Sequence, residues 1–258
     1  MALLRVRADE AWVEIGAGHG EMTEHLAAAA AQVTAIELDP PLAARLRERA
    51  AAWPNVRVAE GDVLSLDLAA VAGAERFRVY GNLPYYITSP ILHLLFACAG
   101  RIASAHVVMQ LEVAERVVAA PKRRDYGYLS VAAQYFAHAE IALRIPPEAF
   151  RPAPKVWSAL VTLQFPGAAA VLGMETDGRS SEAQAFLAFV QRCFAQKRKT
   201  LANNLRAMLG RNGVGGDEIA GILRTAEITA GARAEELSVE ELVRLYRIVT
   251  LRQATERI

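Results

Sequence analysis

Trp12-Val13-Glu14-Ile15-Gly16-Ala17-Gly18-His19-Gly20 is the stretch on which the reading of this chain turns. A short apolar run enters glycines at every second position, and from 21 to 31 the apolar residues recur at the spacing of a helix. Strand, glycine loop and helix in that order open an α/β alternation, and the rest of the first half repeats it. Strands are expected over 33–37, 56–59, 77–80 and 105–109, with helices over 40–51 and from about Pro90 onward. The third strand stops at Gly61-Asp62, and the fourth runs into Asn82-Leu83-Pro84-Tyr85. Regular alternation of this kind builds an open parallel sheet with helices on both faces, a Rossmann-like α/β fold.

Further along, 141–145 and 158–165 read as two more strands, and the segment 146–154 between them is too rich in proline for either regular element. After Gly167 the pattern changes to helices only, over 182–195, 197–209, 217–224 and 238–252, the last opening with a Ser238–Glu241 capping box. A boundary is therefore expected between Pro166 and Arg179, dividing the chain into an α/β domain at 1–170 and a smaller all-α domain at 171–258.

Composition narrows the function classes. The 258 residues are 53% hydrophobic and 22% charged, which suits a globular protein, and the net charge is only +1. A nucleic-acid surface must then come from local clusters of Lys and Arg. Two such clusters exist: Arg116, Lys122, Arg123 and Arg124, and Arg192, Lys197, Arg198, Lys199 and Arg206. Cys98 and Cys193 lie far apart, and no apolar run reaches the roughly 20 residues that span a bilayer, so the expected compartment is the cytoplasm. The five histidines are scattered, and no metal site is implied.

The chemistry gathers at the strand ends. The glycine pattern is GxGxG, with Glu21 where a dinucleotide fingerprint wants a third glycine. That mismatch, and the lack of an evident hydride-transfer acid, disfavour a nicotinamide dehydrogenase. Glu37 closes the second strand where a carboxylate can accept both hydroxyls of a ribose held over Gly16 and Gly18; Asp39 competes for that role, and Glu37 is preferred. Asp62 follows the third strand, where it can accept an adenine amino group while Val63 covers the ring. A pocket that ends after one nucleoside suits a methyl donor better than a dinucleotide.

Asn82-Leu83-Pro84-Tyr85 supplies the second half of such a reaction. An exocyclic adenine amine is a poor nucleophile because its lone pair is delocalised into the ring. The Asn82 side-chain carbonyl and the Leu83 backbone carbonyl can accept its two N–H groups and relocalise that pair. Pro84 stiffens the loop, and Tyr85 offers a ring on which the target base stacks. No general base is required, because the alkylated amine becomes acidic and loses its proton to water.

With these residues the chain resembles the small-subunit ribosomal RNA adenine dimethyltransferases of the KsgA type. The resemblance rests on segments in order along the chain: Val13 to Gly18, Ile36 to Asp39, Gly61-Asp62, Gly81 to Pro90, Gln110 to Val113, Tyr126 to Ser130, Phe150 to Val156, and Phe194 to Leu201. It implies a Rossmann-like S-adenosylmethionine-dependent methyltransferase sheet with a helical C-terminal domain. By the same resemblance Gly16, Gly18, Glu37, Asp62 and Asn82 hold the cofactor, beside the Val63 already placed over its ring, and Tyr85 with Phe150 sandwiches the adenine. The implied substrate is two adjacent adenines in the 3′-terminal hairpin loop of small-subunit ribosomal RNA, met in a pre-30S particle by a monomeric enzyme linked to ribosome assembly. Alternatives are adenine methylation of large-subunit RNA and a non-catalytic assembly factor. Two departures stand out. The family carries about thirty residues, with a Gly-Gln-Asn-Phe-Leu segment, ahead of the glycine-loop strand, and without them the donor is expected to be more open to water. Trp157 stands where the family commonly has Asp.

Overall fold

The computed structural model describes residues 2–209 and 214–255. The α/β alternation runs β1 (Ala11–Ile15), α1 (Glu21–Ala27), β2 (Gln32–Glu37), α2 (Pro40–Ala50), β3 (Val56–Glu60), α3 (Leu68–Ala72), β4 (Phe77–Asn82), α4 (Thr88–Ala97) and β5 (Ile102–Gln110). Val13, Ile15, Val33, Ala35 and Ile36 are all buried, as central parallel strands covered on both faces require. The α1 helix stops at Ala27 instead of using the whole alanine run. The Asn55 amide donates to the carbonyls of Ala27 and Ala30 at 2.8 and 2.9 Å, which ends the helix and turns the chain into β2.

The remaining elements are α5 (Leu111–Val118), α6 (Tyr128–Phe136), β6 (His138–Ile145), β7 (Ser158–Gln164), α7 (Ala168–Val171), α8 (Ser181–Cys193), α9 (Leu201–Leu209), α10 (Gly216–Thr225) and α11 (Val239–Thr255). The sheet order is β3-β2-β1-β4-β5-β7-β6. β1 to β5 are parallel, as their β–α alternation implies, while β7 is antiparallel to both β5 and β6, so the sheet as a whole is mixed. The reason is the connection. β6 returns to β7 through a proline loop that holds only a single 3-10 turn, Pro147–Ala149, and neighbouring strands joined without a crossover α-helix pair antiparallel.

By contacts the chain forms two compact units, the first up to Ala114 together with Ala137–Pro166, the second Glu115–Phe136 together with the residues from Gly167 onward. This differs from a single cut near 170, because α6 packs among the late helices. Tyr135 stacks on Phe186 at 4.6 Å between ring centroids, Phe186 meets Tyr246 edge-on at 5.5 Å, and the Tyr126 hydroxyl donates to Leu237 O at 2.8 Å. α8 is capped by Ser180, which accepts from Ala183 N. The expected box at α11 is present: Ser238 N donates to Glu241 Oε2 at 2.8 Å and Glu241 N to Ser238 Oγ at 3.2 Å.

Candidate active site

Register aligns the strand ends that carry the candidate residues. Ile15 pairs with Ile36 on one side and Gly81 on the other, and Glu37 pairs with Glu60. The loop after β1, Glu37, Gly61-Asp62 and Asn82 therefore emerge on the carboxyl edge of the sheet, the usual ligand side of such folds. Gly16 and Gly18 have φ of 72° and 58°, a left-handed backbone that side chains resist, and Gly16 N and Ala17 N both donate to Ile36 O.

Glu37 is buried and its carboxylate organises the loop. Gly18 N donates to Oε2 at 2.7 Å and Asp39 N to Oε1 at 2.9 Å, leaving each oxygen with a further lone pair. Asp39, the competing carboxylate, caps α2 by accepting from Leu42 N at 2.9 Å. Asp62 is exposed, and its Oδ1 accepts from Leu64 N at 2.9 Å within a tight turn. A cavity of about 400 Å³ lies along this edge. Gly16, Glu37, Asp62, Val63 and Pro84 line it, while Gly18, Asn82, Leu83, Tyr85 and Phe150 are off its wall. Leu38, Tyr86, Ile87 and Ile91 are among the other wall residues and had no role assigned from sequence, although Tyr86 and Ile87 continue the Asn-Leu-Pro-Tyr run. Asp39 lines it as well, so apolar walls for a ring and three acidic residues, of which Asp39 is engaged in its helix cap, fit one adenosine-type nucleoside with its hydroxyl and amino donors.

Asn82 ends β4, exposed, with no hydrogen bond to its side chain among the described residues. Leu83 is buried and held by Leu83 N donating to Val108 O at 2.9 Å. The Pro84 carbonyl accepts from Ile87 N and from the Thr88 hydroxyl, which closes the loop onto the start of α4. Tyr85 is anchored at its tip, Oη lying 2.7 Å from Oγ of buried Ser158 at the start of β7. Phe150 sits half-buried in the proline loop and makes no ring contact with Tyr85 among the described residues.

Glu14, to which its sequence position assigns no role, is buried in β1, just ahead of the glycine loop. Burial pushes its carboxyl up to about 7; the Thr23 hydroxyl, donating at 2.5 Å, opposes the shift, and the charges of Glu21 and Glu37 add to it. Tyr80 on the neighbouring strand is raised to about 12 by its own burial and by Glu14.

In the second unit the two basic clusters adjoin, since Lys197 Nζ donates to Arg124 O at 2.7 Å. The helix expected from 197 begins only at Leu201, and 196–199 form an exposed turn closed by Lys199 N donating to Gln196 O. Lys197 also lies 3.7 Å from the Glu235 carboxylate, while Arg198 and Lys199 are exposed.

Residues 2–250 match the family described as ribosomal RNA adenine dimethylase. The chain is 48% identical over 236 residues to ribosomal RNA small subunit methyltransferase A of Acidobacterium capsulatum, covering 91% of this chain and 80% of that one. It is 40% identical over 253 residues to the protein of the same name from Methylibium petroleiphilum, covering 97% and 90%. Among solved structures, the 23S ribosomal RNA methyltransferase ErmE superposes with a TM-score of 0.69 at 28% identity over 96% of this chain and 94% of that one. A dimethyladenosine transferase from Plasmodium falciparum superposes with a TM-score of 0.79 at 22% identity over 93% and 90%, a likeness of fold.

Proposed function

The chain belongs to the ribosomal RNA adenine dimethylase family, and on that premise we propose that it dimethylates the N6 amines of two adjacent adenines in the 3′-terminal hairpin loop of small-subunit ribosomal RNA. It does so as a cytoplasmic monomer acting on a pre-30S particle. The observation that carries the reading is one cavity lined both by Gly16, Glu37, Asp62 and Val63 and by Pro84 of the Asn-Leu-Pro-Tyr loop. A nucleoside site and an amine-binding loop that meet in this way suit transfer between them and little else.

S-adenosylmethionine supplies, when bound, a methyl group on positively charged sulfur. Glu37 accepts the ribose hydroxyls with the lone pairs left by Gly18 N and Asp39 N. Asp62 accepts the adenine amino group, and Val63 covers the ring. The unpaired Asn82 amide oxygen and the Leu83 carbonyl accept the two N–H bonds of the target amine and restore its lone pair. Tyr85 and Phe150 hold the splayed base between them, and the methylated nitrogen loses its proton to water. The basic turn of the second unit, with Arg198 and Lys199, grips phosphates.

Transfer of labelled methyl groups to small-subunit RNA, followed by mass spectrometry of the digest, tests the reading. Dimethyladenosine at two adjacent positions of the terminal hairpin is the expected product. Label on large-subunit RNA alone, or binding without turnover, overturns it.

A further inference from the structure

Trp157 is unlike the other tryptophans of this chain. Trp12 is buried beneath the Arg78 guanidinium, 4.5 Å from its ring centre, and Trp53 lies under Arg49. Trp157 is 49% exposed and has no ring or cation partner among the described residues. Its backbone is nevertheless firmly placed. The Trp157 carbonyl accepts from Leu111 N at 2.9 Å, extending the β5–β7 ladder by one step past the Gln110–Ser158 pair. The next residue, Ser158, holds the Tyr85 hydroxyl at 2.7 Å. Trp157 and Ser158 are one Cα step apart, about 3.8 Å, and successive residues of an extended strand project to opposite faces, so the indole leaves the sheet edge on the side away from the Ser158 hydroxyl that anchors the proposed base-stacking ring.

The residues before Trp157 complete the picture. Arg151 and Lys155 are exposed on the same proline loop and pair with no carboxylate among the described residues. A free indole with two free cations on a stiff loop is the combination by which proteins hold unpaired nucleotides: the base stacks and the cations neutralise phosphates. An exposed indole offers a large flat apolar face that gains when another flat ring covers it. We infer that Trp157, with Arg151 and Lys155, forms a subsite for the nucleotide adjoining the target adenine. The indole stacks on that neighbour's base while Tyr85 receives the target, and the two cations hold the phosphates on either side. This rests on the RNA-methylating reading above, and it makes Trp157 a positioning residue for substrate, with no part in methyl transfer itself.

The test uses a synthetic hairpin of small-subunit RNA carrying the two adjacent adenines, and a second hairpin with an abasic site beside the target. Trp157→Ala should raise KM for the intact hairpin about tenfold, in line with the loss of one stacked base, leaving kcat and cofactor affinity unchanged. Trp157→Phe should restore most of the loss. Wild type should lose a similar factor on the abasic hairpin, and Trp157→Ala should be indifferent to the missing base. Arg151→Ala with Lys155→Ala should lower the slope of log affinity against log salt by about 1.4, for two single-strand phosphates. Equal KM for wild type and Trp157→Ala, with both variants folded by thermal melting, overturns the subsite while leaving the methylation reading intact. A wild-type enzyme inert on the intact hairpin overturns the methylation reading and the subsite together. If Trp157 in the RNA-free protein already resists acrylamide quenching in a species of doubled mass, a second copy covers the indole and the subsite is overturned.

Discussion

Glu37 and Asp39 lie two residues apart at one strand end, yet the backbone amides that reach them set different duties. Glu37 takes Gly18 N and Asp39 N, so it both shapes the glycine loop and faces the cavity. Replacing it by Ala should weaken S-adenosylmethionine binding by about 2–3 kcal/mol, because charge-assisted bonds to two hydroxyls are lost. Asp39→Ala should instead cost about 1 kcal/mol of stability through the α2 cap. Calorimetry and melting curves on the pair separate the two duties, and unaltered cofactor affinity in Glu37→Ala would move the ribose role elsewhere. Glu14 is a second residue-scale case. Its folded carboxyl titrates near 7 against 4.5 unfolded, so the folded state holds the proton more tightly. That contribution is fully present below about 4.5 and is lost as pH rises through 7. Glu14→Gln should therefore match wild type closely at pH 4 and exceed it by about 3 kcal/mol at pH 8 in denaturant unfolding. Buried His106, lowered to about 4 by burial and by Arg78, acts with the opposite sign: its contribution is present above 6.5 and is lost as pH falls toward 4. Because the two slopes oppose each other in wild type, the difference between the proteins is the quantity to follow. A pH-independent difference would rule out a protonated Glu14.

At the scale of elements, β4, the loop after it and β7 act as one piece. The Tyr85–Ser158 hydrogen bond ties a loop residue to the antiparallel strand two places across the sheet. Tyr85→Phe keeps the stacking face and loses the tether, so methyl transfer should fall only a few-fold, whereas Tyr85→Ala should lose far more with cofactor affinity intact. Ser158→Ala should reproduce the Phe variant, and the double variant should be no worse than either single one, since both remove the same bond. Additive losses would show that hydroxyl and serine act separately. Element ends were also where local pattern misled: the alanine run reads as continuous helix, but the Asn55 amide cuts it at Ala27. α6 went unread because its apolar residues are so dense that the helical period is hard to see, and α5, although amphipathic, spans only eight residues, little more than two turns of that period.

For the whole molecule, a net charge of +1 leaves RNA affinity to the local placement of cations. Sequence alone groups Lys197, Arg198 and Lys199, but Lys197 is occupied by the Arg124 carbonyl and the Glu235 carboxylate. Arg198→Ala with Lys199→Ala should therefore reduce the slope of log affinity against log salt by about 1.4 to 1.8, and adding Lys197→Ala should lower stability more than it lowers the slope. Filter binding across a salt series, beside melting curves, measures both. A full extra unit of slope on removing Lys197 would return it to the RNA-facing set.

The sequence by itself determined the β–α alternation, the glycine loop, the acidic strand ends and the Asn-Leu-Pro-Tyr loop. These depend on period, on glycine and proline, and on neighbours along the chain, all of which are local. Tertiary structure alone decided that β7 runs antiparallel, that Glu115–Phe136 joins the late helices, and that Asp39 caps a helix while Glu37 binds the loop. It also buried Glu14 deeply enough to move its titration, and it took Lys197 out of the free cations. Each of these depends on which distant backbone or side-chain group arrives within hydrogen-bond reach. Residues with the same local pattern then acquire different charges, partners and duties from contacts that no periodicity records.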